Sequence, residues 1–350
     1  MNTTPRRHRK SVTSLFALSL LSAPLFAQQP PGEPNQTPPA GVEERQITFP
    51  TDGLVAPGTL TLPASPHANL PLLVMIGGSG VHNHNSVIGP HKILQQLAWG
   101  LAQHGIATLC FDRRPMFALS NFTAHFDLDH EVVIDAASAL AYAATLPEID
   151  PHKIYLLGHS LGADLAPDIV AMRLAQEPAS VRGMLLMSGD ARPFDVTYLE
   201  QVRIVGKARG GTPAQIDHLV ASWTAVFDAA RDPQTPASEP LGVGVIKAPA
   251  QYWRDWLGRN PVPGLQSLGL PALVLGGTSD LSPSHEGFEM LREAATASGS
   301  ASLELPGLNH EYITVPGVGS TTFVAAQVAP AVLDTVAQWV ATGHIDSKLP

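Results

Sequence analysis

Glycines stand two residues to either side of a serine in Gly158-His159-Ser160-Leu161-Gly162, between an apolar run at 153–157 and a helix-patterned stretch at 161–176. A serine hydroxyl attacks poorly until a base takes its proton. Strand, tight turn and helix is the context in which this spacing forms a nucleophile elbow. Larger side chains at 158 and 162 would meet the neighbouring strand and helix. The turn would lift Ser160 above a sheet and aim the helix N-terminus at developing negative charge. An ordinary glycine-rich strand–helix turn has the same spelling, so the chemistry has to be argued from partners.

Two partners follow in the order acid, then histidine. The apolar run 271–275 leads into Gly276-Gly277-Thr278-Ser279-Asp280, and 303–305 leads into Pro306-Gly307-Leu308-Asn309-His310. Both residues fall just past the C-terminal end of a strand, where open α/β sheets bind ligands. Asp280 would accept the Nδ1 proton of His310, leaving Nε2 for Ser160. With 14 histidines in the chain, His310 is singled out by order and placement rather than by type. An oxyanion would need two backbone donors. One is expected at Leu161, after the nucleophile; the other in Gly77-Gly78-Ser79-Gly80, with Ser79 first and Gly80 second. These glycines do not make a phosphate loop, because no Gly-Lys-Ser/Thr follows them.

Other polar residues carry weaker signals. His82-x-His84 supplies two imidazoles where a zinc site wants three or four ligands, so a polar rim is expected and no metal or cofactor. Gly78, Gly80 and His82 border the substrate pocket on this reading. His159 is expected to pack within the elbow, Asp112 and Arg113 to form a local ion pair, and Asp164 to support its helix N-terminus. Tyr252, Trp253 and Trp256 suit an acyl pocket or a packed core equally well.

Continuous apolar runs at 70–76, 106–111, 153–157, 182–187 and 271–275 predict strands buried on both faces. Helical stretches at 93–104, 130–146 and 161–176 alternate with them, which predicts a mostly parallel sheet covered by helices. Strand-like runs at 46–49 and 58–62 suggest an opening hairpin. Residues 194–270 interrupt the alternation with helices at 198–207, 212–230 and 252–257, and read as a helical cap. Cys110, the lone cysteine, sits in an apolar run and is expected to be a buried thiol.

The first 27 residues have the order of an export signal: Arg6, Arg7, Arg9 and Lys10, an apolar run at 12–21, and Leu25-Phe26-Ala27. A Pro- and Gln-rich linker at 28–44 would follow, then one hydrolase domain at 45–344. Losing the four basic residues takes the formal charge from −9 to about −13. An acidic surface argues against nucleic acid and anionic membranes as partners. A periplasmic or extracellular protein without a membrane anchor is the expectation.

The chain resembles the α/β-hydrolase superfamily, and within it bacterial carboxylesterases grouped with serine aminopeptidase-like proteins. The resembling segments are GGSGVHNHNSVIGPHK, LAWGLAQHGIATLCFDRR, GHSLGADLAP, LPALVLGGTSDLSP and LPGLNHEY, with the opening 58–63. They run in order over most of residues 45–340. The resemblance implies an α/β-hydrolase fold with a cap insertion, a Ser160–Asp280–His310 triad, and hydrolysis of short- to medium-chain carboxylic esters. It departs at His82-Asn83-His84-Asn85, where an Asp-Arg-Asp-like stretch is usual, and at Pro115, where glycine is common. A peptidase or acyl transferase would use the same triad, with Glu239 or Asp255 as a possible anchor for a substrate amine. A non-catalytic binding protein on this scaffold would be expected to lack one of the three residues.

Overall fold

The computed structural model describes residues 37–65, 68–88, 91–281, 285–317 and 326–345. The export segment and most of the linker lie outside the described residues. Eight strands form one sheet: β1 (Val42–Thr51), β2 (Leu54–Pro63), β3 (Leu70–Ile76), β4 (Ala107–Phe111), β5 (Ile149–His159), β6 (Gly183–Met187), β7 (Ala272–Gly277) and β8 (Ala301–Leu305). Their order is β1-β2-β4-β3-β5-β6-β7-β8. Only β2 runs against its neighbours β1 and β4; from β4 to β8 every pairing is parallel.

Successive side chains of a strand point to opposite faces, so each central strand feeds two cores. Leu72, Val74 and Ile76 pack on one side with Leu109, Leu156, Leu186 and Val274. Leu73 and Met75 pack on the other with Leu157, Leu185, Leu273 and Leu275. Helices α1 (Ile93–Gln103), α2 (Ile134–Ala143) and α3 (Ala166–Gln176) cover these faces, joined late in the chain by α8 (His285–Ala297) and α9 (Pro330–Thr342). This two-sided burial explains the uninterrupted apolar runs.

Between β6 and β7 the chain leaves the sheet for α4 (Phe194–Ala208), α5 (Pro213–Arg231), a small hairpin (Pro240–Val243 with Ile246–Pro249), α6 (Ala250–Gly258) and α7 (Pro261–Ser267). A capping box between Thr212 and Gln215 starts α5. Phe194, Tyr198, Trp223, Phe227 and Trp253 form its aromatic interior. Arg259 fastens the insertion to the body, pairing with Asp129 (3.0 Å), Asp168 (2.9 Å) and Asp255 (2.6 Å).

The structure differs from the sequence reading in several places. The stretch 161–176 is two helices, Leu161–Asp164 and α3, because Pro167 lacks an amide hydrogen and restarts the helix in its own first turn. The helix expected from residue 130 begins as a π-helical turn, Asp129–Val133, before α2. Among the described residues no helix is long and apolar enough to cross a membrane. Cys110 is a buried free thiol on β4.

Candidate active site

Ser160 occupies the turn between β5 and the helix Leu161–Asp164 with φ 56° and ψ −123°. A positive φ is strained for any residue with a side chain, and it persists only where surroundings enforce it. Here the turn is packed too tightly to admit side chains on either flank. A Cβ at Gly158 would lie 2.0 Å from the Gly162 carbonyl oxygen, and one at Gly162 would lie 2.6 Å from that of Ile76 on β3. The Ser160 amide is held by the Met187 carbonyl at 2.9 Å. Glycines at 158 and 162 are thus required by backbone on both sides of the turn.

Asp280 and His310 come together as their placement predicts. The His310 Nδ1–H donates to Asp280 Oδ2 at 2.9 Å, with Oδ1 at 3.1 Å, and the Asp280 side chain is only 3% exposed. Burial opposes charge on His310, but the Asp280 carboxylate and its hydrogen bond outweigh it and lift the imidazole to about 9. Their loops are knotted together. Ser279 N–H donates to the Leu308 carbonyl at 2.9 Å, Gly307 N–H to Thr278 Oγ1 at 2.8 Å, and the Tyr312 hydroxyl to the Leu275 carbonyl at 2.8 Å.

The elbow meets this pair through His159. Fully buried, it donates from Nε2 to the His310 carbonyl at 2.9 Å, and the two rings lie 4.8 Å apart. Burial pushes its imidazole down to about 3, so the ring is neutral. In this conformation no hydrogen bond joins Ser160 Oγ to the His310 ring among the described residues. His159 is therefore a packed elbow residue, as expected, with the added task of fixing the His310 backbone.

The glycine loop stands beside the nucleophile. A Cβ at Gly78 would lie 3.2 Å from Ser160 Cβ and 3.4 Å from its Oγ, so only glycine leaves the approach open. The amides of Gly78, Ser79, Gly80 and Leu161 donate to no protein acceptor among the described residues. Unpaired amides beside a hydroxyl poised on a strained turn are suited to stabilising an oxyanion.

Several expectations need correction. Asp112 and Arg113 do not pair with each other. Asp112 accepts from the His84 amide (2.8 Å) and Nδ1 (2.7 Å), while Arg113 Nη2 donates to the carbonyls of Gly77 and Gly78, each at 2.6 Å. Adjacent residues leaving a strand point apart, which sequence adjacency conceals. His82 Nε2 donates to the Ser79 carbonyl. Asp164 accepts from the Asp190 amide at 2.8 Å rather than acting on its helix end alone, and dehydration raises its carboxyl well above the usual range. Tyr252 and Trp253 belong to the packed interior. The Tyr252 hydroxyl donates to buried Glu131 at 2.6 Å and the Trp253 indole to the Leu241 carbonyl at 3.1 Å. Asp255 is engaged by the Leu128 amide and Arg259, while Glu239 is exposed.

Comparison with known proteins places this geometry in context. A model of the alpha/beta hydrolase family matches residues 73–332. Esterase EstD of Thermotoga maritima is 27% identical over 312 residues, covering 88% of this chain and 69% of EstD. Among solved structures, a Pyrobaculum calidifontis esterase superposes with a TM-score of 0.55 at 17% identity, over 87% of each chain. A thermostable esterase from Pseudomonas putida gives 0.52 at 16% identity, over 88% of this chain and 85% of that one.

Proposed function

Since the chain belongs to the alpha/beta hydrolase family, we propose that it is a carboxylesterase-type hydrolase whose nucleophile is Ser160, whose base is His310 and whose orienting acid is Asp280. One observation carries this reading: Ser160 is held at φ 56° beside the unpaired amides of the glycine loop. Such strain is maintained against a cost of about 1–3 kcal/mol and belongs to a site that uses it.

In the proposed reaction Ser160 Oγ attacks the ester carbonyl and His310 Nε2 takes its proton. The Leu161 and Ser79 amides stabilise the oxyanion. His310 returns the proton to the leaving alcohol, and water then cleaves the acyl-enzyme by the same steps. Short- to medium-chain esters are the proposed substrates. EstD and the superposed structures are named as esterases, which supports the ester over the amide. An amine-anchoring acid for a peptidase is harder to find, since Asp255 is already held by Leu128 and Arg259. Export directed by residues 1–27 belongs to the same proposal; N-terminal sequencing of exported protein would begin at Gln28, and a sequence retaining those residues would refute it.

The test is hydrolysis of p-nitrophenyl esters of increasing chain length, with Ser160→Ala and His310→Ala alongside. Activity that fades beyond medium chains and disappears in both variants is the expected result. Full turnover by Ser160→Ala would refute the assignment.

A further inference from the structure

Arg113 is buried at 4% exposure, yet no carboxylate lies within salt-bridge distance of it among the described residues. Its amide donates to the His82 carbonyl at 3.0 Å and its Nη2 to both Gly77 and Gly78 carbonyls. His82 in turn donates to the next carbonyl along, Ser79. Three successive carbonyls of one loop are thereby drawn to a cation and its neighbour. In a trans peptide the N–H points opposite to the preceding C=O. Fixing the carbonyls of Gly77, Gly78 and Ser79 therefore turns the amides of Gly78, Ser79 and Gly80 the other way, and these are the amides with no protein acceptor beside Ser160.

We propose that Arg113 is the positioning residue of the oxyanion hole, holding the loop's amides toward the reacting carbonyl and loading their dipoles from behind with a positive charge that no direct ion pair takes up. The inference rests on Ser160 being the nucleophile. A guanidinium stays charged even in the interior, and a hydrogen bond to a carbonyl polarises its peptide so that the N–H becomes a stronger donor. The opposing charges Glu131 and Asp135 act on Arg113 only through space. Glu131 is itself tied to Tyr252 of α6, and Arg113 Nη1 has no hydrogen-bond partner among the described residues. Because Arg113 touches the loop and not the substrate, its effect should appear where charge develops rather than in ground-state binding.

The test compares wild type, Arg113→Met and Arg113→Lys on one p-nitrophenyl ester and on its thionoester, in which sulfur replaces the carbonyl oxygen. Sulfur accepts hydrogen bonds weakly, so the rate preference for oxygen reports the oxyanion hole. Loss of one direct oxyanion donor costs about 100- to 1,000-fold, and Arg113 acts one bond removed. Arg113→Met should thus lower kcat about 10- to 100-fold with KM within about threefold, and should shrink the oxygen preference. Arg113→Lys, which keeps charge and a donor, should fall between. His82→Phe, at a half-buried site, should shrink the preference less, and it can be read even if Arg113→Met fails to fold. Variants with wild-type kcat and oxygen preference, in an enzyme that Ser160→Ala inactivates, would overturn the role of Arg113 alone. A wild type that neither turns over esters nor reacts at Ser160 with a fluorophosphonate would overturn the nucleophile and this inference together.

Discussion

The His310–Asp280 pair sets two pH responses that run in opposite directions. With its folded value lifted to about 9, a His310 that serves as the proposed base must first shed a proton, so kcat/KM should climb with pH and level off above about 9. The same raised value is a stability term. It is fully present below the unfolded imidazole value of about 6.5 and disappears as pH rises through about 9. Activity should therefore increase over the window in which the pair ceases to stabilise the fold. Asp280→Asn removes the cause, so the rising limb should move toward about 6.5 while the plateau drops at least about 100-fold, as a pH–rate profile would show. A limb that stays alkaline in this variant would mean that another group governs it. At this scale the strand-end placement of Ser160, Asp280 and His310 was legible in the sequence, because each is one residue type following an apolar run. Arg113 was not, because its partners are backbone carbonyls that no sequence spells.

Elements with a single, uninterrupted physical signal were the easiest to anticipate. The strands β3 to β7 follow from apolar runs that only two-sided burial explains, and β1–β2 from the short runs around Asp52-Gly53. Helix ends and short elements were missed where local rules compete. Pro167 divides one expected helix, and the hairpin at 240–249 hides in a stretch rich in proline and glycine. The insertion was visible as a loss of alternation, but its attachment was not, since Arg259 finds Asp129 and Asp168 from distant parts of the chain. That attachment is testable. Arg259 is 17% exposed, while Asp129 and Asp168 are 44% and 41% exposed, so solvent screens part of the interaction. Arg259→Leu should cost about 1–2 kcal/mol, less than a fully buried pair would. Limited proteolysis should then cut within 194–270 before the rest of the chain, whereas uniform loss of protection would show that Arg259 does not anchor the insertion.

Across the whole molecule, acid should be a stronger denaturant than the net charge suggests. His159 is buried and neutral, with its imidazole pushed down to about 3. A folded value below the unfolded one means that stability is intact above about 6.5 and is lost as pH falls toward 3, at about 1.4 kcal/mol per unit for a single group. Urea unfolding at pH 6.5, 5.5 and 4.5 should show that slope, and His159→Gln should flatten it. An unchanged slope in the variant would assign acid sensitivity to other groups.

The crowding at Gly162 also has a meaning in time. The turn that carries Ser160 packs its Gly162 against the carbonyl of Ile76, a residue on β3 some eighty positions earlier in the chain. Until β3 has docked beside β5, that side of the turn lacks its packing partner, and the serine is free to relax toward an unremarkable hydroxyl. Pairing across so long a loop is a late event in folding. Refolding followed by helical circular dichroism should accordingly run ahead of refolding followed by fluorophosphonate capture of Ser160. A chain caught halfway to its native state would carry every residue of the active site and yet be chemically silent.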